Sequence, residues 1–598
     1  MGQKLQPTWD LDVIFPGQSN SEEFRQFVNE VKRNIAELTV EANHLDANGE
    51  TEAWEIILEK LELLTKRSRE MGAYISCLSA QDVTDKQAAL YVAEAAQVQA
   101  SSSALTKIID QKLGAVTEAN WDMLLDQEAI KPLKFILTER RERAREQLSK
   151  NEEILIGDLA VDGYHAWNQM YSTIVGNMKI DITEDGETQS YSVGQASNKL
   201  STPDREQREY VYRQISKAWK DNEDLFGQTL NHLAGFRLQT YKHYGWDNVL
   251  KEPLEKNRMK EETLNAMWGA IEKHKPLFVE YLNQKASLLN LDQLSIFDVN
   301  APIQSKVEKK SYDEGAAFIV EQFRGFSPQM ADFAQMAFEK RWIEAEDRAG
   351  KRPGGFCTSF PASEQTRIFM TYSGTPSNIA TLAHELGHGY HQYVMNDVNG
   401  LNQGYAMNVA ETASTFAEMI IADASVKMAK TDEEKLTLLE DKVSRSIAFF
   451  MNIHARFLFE KQFYEERKQG MVSTDRLNEL MVEAQKEAYC NNLSEYDPHF
   501  WASKLHFHIT GVPFYNFPYT FGYLFSQGIY AYAQEYEGDF EEKYTALLRD
   551  TGRLTVEELA EKHLQVDLTK PDFWENAIEI CEQDVQTFLE LSRKLQKL

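Results

Sequence analysis

Three side chains between positions 384 and 388 raise the first chemical question. In TLAHELGHGYHQ, residues 381–392, His384, Glu385 and His388 form the pattern H-E-x-x-H. On a helix, His384 and His388 stand nearly one turn apart, so both imidazoles project from one face. That is the geometry two ligands of a tetrahedral zinc ion need. Glu385 lies one residue on, roughly 100° round the helix. It is too far round for an easy third ligand. It is close enough to take the proton of a water that the metal activates for attack on a carbonyl. The alternative is a chance H-E-x-x-H in a chain of 598 residues, and the neighbours weigh against it. Ala383, Gly387 and Gly389 are small, as a buried helix in close contact needs, although glycine costs helix stability.

A catalytic zinc takes a third protein ligand and keeps an open position. The extended pattern HExxHxxGxxH fails, because position 391 is His and position 394 is Val. A glutamate from a following helix is the other common solution. MNVAETASTFAEMII, residues 407–421, offers Glu411 and Glu418, seven apart and so on similar faces. Glu411, flanked by Ala410, Ala413 and Ser414, is the expected ligand, and Glu418 is the fallback. His391, close to one turn beyond His388, either orients a ligand or is a satisfied buried histidine.

A second cluster stands downstream. HFHITGVPFYNFPYTFGYLF, residues 506–525, carries His506, His508, Tyr515, Tyr519 and Tyr523. The tyrosines share a face if the segment is helical, but Pro513 and Pro518 argue for a broken helix or loop. Tyrosine hydroxyls and histidines could supply donors for an oxyanion. An aromatic stripe packed in a core is the plainer alternative.

The elements that must position these residues read as helices. Apolar residues recur at three- and four-residue spacing over 51–113 and 119–152. A further helix is expected over 203–245, with Thr202 as cap and Pro203 in its first position. Thr375 or Ser377 can cap the motif helix, with Pro376 in its first turn. Two stretches look like strand: 178–193, around a Glu184-Asp185-Gly186 turn, and 354–374. The expected fold is mainly α with a minor sheet. A boundary is expected near 180–200, where helical periodicity stops and restarts.

Composition narrows the function. A net charge of −29 argues against a nucleic-acid binder. Four separated cysteines, Cys77, Cys357, Cys490 and Cys581, read as reduced thiols of a cytoplasmic protein. The opening MGQKLQPTWDLDVIFPG shows no apolar signal segment, and Gln6 stands where a myristoylation signal at Met1-Gly2 would want Ser or Thr. No membrane association is expected, since no long uncharged apolar stretch occurs.

Taken together, HELGHGYH, AETAST, PFYNFPYTFGYLF, GKRPGGFCTSF, the MTYSGTP lead-in and the early Trp9-Asp10-Leu11 resemble the oligoendopeptidase F branch of the thimet-oligopeptidase-like zinc metallopeptidases. The resemblance spans most of the chain. It implies a two-lobed helical fold with a deep channel and a small sheet near the zinc, in which residues 1–190 form one channel wall and 191–598 the catalytic unit. It implies one Zn2+ held by His384, His388 and Glu411, with Glu385 as general base. It implies contacts from His508 and a tyrosine to substrate and to the tetrahedral intermediate: Tyr515 first, then Tyr519 and Tyr523. Short unstructured peptides are the implied substrates. A free strand edge at 354–374 would let such a peptide add as an extra strand.

Overall fold

The computed structural model describes residues 4–184, 186–303, 309–536 and 539–597; Asp185 of the expected turn, and Met1 and Gly2, lie outside them. Helices dominate, with one two-stranded and one three-stranded sheet. The 51–113 run is two helices, Thr51–Gln81 and Lys86–Gly114. Asp85 starts the second by accepting from the amides of Gln87 and Ala88. The 203–245 run likewise divides into Arg205–Lys220 and Glu223–Tyr244. Its cap is Asp204 rather than Thr202, because the Asp204 carboxylate reaches the amides of Glu206 and Gln207. Pro203 therefore precedes the helix.

Two buried cores follow the chain. The first gathers residues from Trp9 to Leu137 and takes in Phe360 and Phe369. The second runs from Tyr171 to Leu589. Strands β1 (Ile180–Glu184) and β2 (Glu187–Tyr191) form an antiparallel hairpin. Strands β3 (Ile343–Glu344), β4 (Phe356–Phe360) and β5 (Gln365–Phe369) form the second sheet in the order β3-β5-β4. β5 runs parallel to β3 and antiparallel to β4. The Trp9-Asp10-Leu11 segment is fastened here: the Ala345 amide donates to the Pro7 carbonyl at 2.7 Å, and the Trp9 ring meets Phe369 at 5.7 Å. β4 is an edge strand, and Gly355, the residue just before it, lies beside Glu385.

The motif helix spans Pro376–Val394. Thr375 caps it by accepting from the Asn378 amide at 3.2 Å, and Pro376 occupies the first turn, where its missing N–H is not needed. A second helix, Thr412–Met428, packs along it. Gly387 makes this possible: a Cβ there would overlap the Ala413 carbonyl and the Ser414 Cα. Among the described residues, no helix is long and apolar enough to cross a membrane. The four cysteines are unpaired.

Candidate active site

The close helix pair brings three ligand groups together. One atom each of His384, His388 and Glu411 lies within 4.8 Å of the others. Glu411 Oε2 is 3.3 Å from His384 Nε2 and 3.5 Å from His388 Nε2. Glu411 sits at the joint between a short helix, Met407–Ala410, and the helix beginning at Thr412. Its position is braced from the far side by Gly522, where a Cβ would come within 3.0 Å of Glu411 Cβ. Ser414 Oγ donates to Glu411 Oε2 at 2.8 Å. Burial opposes ionisation of Glu411, but the His384 hydrogen bond and the two imidazoles hold its carboxyl down to about 2. Burial holds the His388 imidazole down to about 4. An ionised carboxylate beside a neutral imidazole is a donor set that suits a divalent metal.

Glu385 is 7% exposed, and its Oε2 has no hydrogen-bond partner. Burial pushes its carboxyl up to about 7, which His384 opposes and the Glu411 carboxylate reinforces. A carboxyl poised near neutrality with a free oxygen is suited to exchanging protons. Gly355, just before β4, packs close to it, since a Cβ there would stand 3.3 Å from Glu385 Oε1.

The two histidines are oriented from behind. Glu418 Oε2 lies 3.2 Å from His384 Nδ1, which leaves Nε2 facing Glu411. Arg445 in turn pairs with Glu418 and with Asp441. The Ala410 backbone bonds to His388. Glu418 is thus placed to fix the tilt and tautomer of a ligand, while Glu411 takes the third corner. His391 is fully buried, stacked on Tyr405 at 4.3 Å, with Nε2 2.9 Å from Thr551 Oγ1. It is a packed histidine on the motif face, close to one turn beyond His388.

The downstream residues separate. Pro518 opens a helix, Phe517–Glu535, instead of breaking one. Tyr519 lines a cavity of about 390 Å³ together with His384 and Glu411. Tyr515 precedes the helix, and its ring lies 5.7 Å from that of Tyr519. Tyr523 lines the same cavity with its ring, but its hydroxyl is engaged with Ser446 at 2.9 Å and Cys581 at 3.5 Å. His508 is not among the cavity residues. It is fully buried, stacked on Tyr171 at 4.0 Å, and burial holds its imidazole down to about 3. His506 instead faces the tyrosines, 5.3 Å from the Tyr515 ring and 6.2 Å from the Tyr519 ring.

The sequence model of peptidase family M3 matches residues 199–580, and that of oligopeptidase F matches residues 112–180. The chain belongs to peptidase family M3. This agrees with the oligoendopeptidase F resemblance of its motifs and makes it an enzyme of the metalloendopeptidase class. An oligoendopeptidase F homolog of Lactococcus lactis subsp. lactis (strain IL1403) is 23% identical over 98% of this chain and 97% of its own. Oligopeptidase PepF of Bacillus subtilis (strain 168) is 22% identical over 99% and 88%. Among solved structures, oligoendopeptidase-F from Enterococcus faecium matches with a TM-score of 0.68 at 17% identity, covering 96% of this chain and 99% of that one. PZ peptidase A with an inhibitor matches with a TM-score of 0.74 at 16% identity, covering 94% and 97%. The mainly α fold is shared with these structures.

Within this M3 frame, the loop carrying Tyr515 is held by groups that no local motif announces. Arg237 donates to the carbonyls of Ile509 and Thr510 at 3.3 and 3.5 Å. Glu460 Oε1 accepts from the Phe514 amide at 3.1 Å, and Phe514 has a left-handed backbone with φ 51°. Tyr164 and His165 reach Thr510 from a π-helical turn, Val161–His165. Such turns recur at functional sites.

Proposed function

We propose that this M3 peptidase is a zinc-dependent endopeptidase that hydrolyses internal bonds of short, unstructured peptides. The observation that carries this reading is the convergence of His384, His388 and Glu411 beside the unpartnered oxygen of Glu385. The three ligand groups would hold one Zn2+, with two imidazoles and one carboxylate as donors. When bound, zinc supplies Lewis-acid chemistry, activating water and polarising the scissile carbonyl. Glu385 takes a proton from the attacking water and passes it to the departing amine. The Tyr519 hydroxyl, with Tyr515 behind it, donates to the developing oxyanion, and His506 is the imidazole nearest that pair. For His508 and Tyr523 to serve there, each would first leave its present partners.

The edge strand β4 gives the peptide a place to lie, paired through its main chain and so with little regard to side chains along that stretch. Residues 1–190 are proposed as a wall of the channel and 191–598 as the catalytic unit, although the buried core divides earlier, between Leu137 and Tyr171, so that Tyr171 to Ile182 pack with the second core. The protein is proposed to work in the cytoplasm.

A peptide of about a dozen residues, blocked at both ends and sized for a domain cleft, tests this function. Internal cleavage, lost on chelation and restored by zinc, is the expected result by mass spectrometry. An exopeptidase would leave the blocked peptide intact, and a silent peptide binder would retain it uncut. Glu418→Ala should weaken zinc binding by about 10–100-fold, because His384 loses its orienting carboxylate. Competition against a metal-sensitive dye reads this directly, and unchanged affinity would remove Glu418 from that role.

A further inference from the structure

Beside the tyrosines the wall of the site carries two unmatched positive charges. Arg456 belongs to the helix Ile453–Arg467, which follows a π-helical turn, Ala448–Asn452. Its Nε donates to Asn452 Oδ1 at 2.9 Å, and its Nη1 to Asn516 Oδ1 at 3.0 Å, one residue after Tyr515. The third nitrogen, Nη2, bonds to nothing among the described residues, yet it is not sealed from solvent. Lys504 stands next to it: Lys504 Nζ lies 4.6 Å and Arg456 Cζ 5.2 Å from the centre of the Phe500 ring. Among the described residues the Lys504 ammonium has no hydrogen bond and no ion pair, and it too is open to solvent. Burial holds the neighbouring His506 imidazole down to about 4, with Arg456 and Lys504 adding to it. Burial pushes the Tyr519 phenol up, and Arg456 is close enough to oppose it. The two cations therefore border the space that Tyr519 shares with His384 and Glu411.

Two like charges held together repel, and partial burial sharpens the cost. Burial pulls the Lys504 ammonium down to about 8, Arg456 adds to this, and Asp497 opposes it without forming an ion pair. Carboxylates are not scarce, since the chain has 93 acidic residues to 64 basic ones. The cations that line the cavity at the metal ligands are matched: Lys442 by Asp423 and Asp584, Arg445 by Glu418 and Asp441. Arg456 and Lys504 lack only an anion. A guanidinium edge and an ammonium side by side can both donate to one carboxylate.

We propose that Arg456 and Lys504 form a carboxylate subsite in the peptide channel, which engages one carboxylate of the substrate a few residues from the scissile bond. Two groups of a peptide carry this chemistry, the C-terminal carboxylate and the side chain of Asp or Glu. The subsite rests on the reading of His384, His388 and Glu411 as the centre of an endopeptidase. It adds a charge preference at one position to the main-chain pairing along β4, which reads no side chain.

The experiment takes an end-blocked peptide with one scissile bond and moves a single Glu, or its isostere Gln, through the positions on both sides of that bond. A second series ends in a free carboxylate or an amide at successive chain lengths. At one position or one length, wild-type kcat/KM is expected to favour the carboxylate over its neutral counterpart by about tenfold. That ratio should shrink in about 1 M salt. A gain with Glu alone identifies a side chain as the source, and a gain with the free terminus alone identifies the peptide's end. Lys504→Met removes a cation that holds no protein acceptor and should lower the ratio to about threefold or less. Lys504→Glu should invert it, and Lys504→Arg should preserve it. Arg456→Met should lower it too, whatever it does to turnover through Asn516, because the ratio compares two substrates on one enzyme. Equal kcat/KM for carboxylate and neutral peptides at every position and length overturns the subsite and leaves the endopeptidase standing. So does a preference that no Lys504 or Arg456 variant moves. No internal cleavage of any peptide overturns the endopeptidase reading itself, and the subsite falls with it.

Discussion

Replacing Glu385 with glutamine is expected to lower kcat by about 10²–10⁴-fold while bound zinc stays at the wild-type level. The two halves of this expectation have separate physical sources. The metal is assigned to His384, His388 and Glu411, whose ligand atoms converge without any atom of Glu385. Glutamine keeps the shape of glutamate and leaves that cluster untouched. Its amide, however, cannot accept a proton from water or return one to the leaving amine. Stability should not suffer. Glu385 is buried with one oxygen unpartnered, and burial already pushes its carboxyl up to about 7. A neutral amide is easier to keep in that place than a carboxylate. The denaturation midpoint of Glu385→Gln should therefore equal or exceed that of the wild type. Metal analysis, a melting curve and a cleavage assay on one preparation read all three quantities. Wild-type turnover would remove Glu385 from the role of base. A loss of zinc would mean that the side chain helps to hold the metal.

What could be read in the sequence follows from which geometry is local. His384 and His388 share a face because a helix repeats every 3.6 residues, and the spacing alone implies it. Gly387 signals close approach of some second helix, and Ala413 and Ser414 are what it meets. Glu411 and Glu418, seven apart, fall on similar faces in the sequence, and only the small residues around Glu411 favour it as the ligand. Docking separates them: the chain bends at Glu411, while Glu418 lies on the straight helix within reach of His384 Nδ1 and Arg445. The histidines two apart are harder still. Leu505–His508 is a short 3₁₀ turn, so neither helix nor strand spacing predicts its faces. It directs His506 to the tyrosines and His508 to Tyr171, which is more than three hundred positions earlier. The π-helical turns at 161–165 and 448–452 have no sequence signature either. They change the register of otherwise regular helices through tertiary packing.

The Tyr515 loop leads to the second large effect. Arg237→Met should cost about 3–5 kcal/mol in the unit that contains it and reduce kcat by about a hundredfold. Arg237 is 3% exposed, and its guanidinium serves the hydroxyls of Tyr164 and Tyr464 as well as the carbonyls of Ile509 and Thr510. Methionine fills much of the space but returns none of these bonds, so the Tyr164 and Tyr464 hydroxyls and the Ile509 carbonyl lose their arginine donor, while the Thr510 carbonyl keeps only Tyr164. Glu460 loses its counter-ion at the same time. Burial already pushes that carboxyl up to about 8 against the pull of Arg237, so without the arginine it holds its proton more tightly. The Phe514 amide keeps its Glu460 acceptor, but with the Ile509 carbonyl released the left-handed turn before Tyr515 loses part of its support. A displacement of about 1 Å at the tyrosines is enough to slow chemistry severely. Glu460→Gln is the control, because it preserves a neutral acceptor for Phe514 and leaves the bonds of Arg237 in place, and it should cost far less. Urea denaturation followed by tryptophan fluorescence, with kcat on a blocked peptide, compares the two variants. If Arg237→Met unfolds at the wild-type midpoint with wild-type turnover, the loop is positioned by its own packing. If Glu460→Gln is as damaging as Arg237→Met, the Glu460 carboxyl, and not the hydrogen-bond frame of Arg237, holds the loop in place.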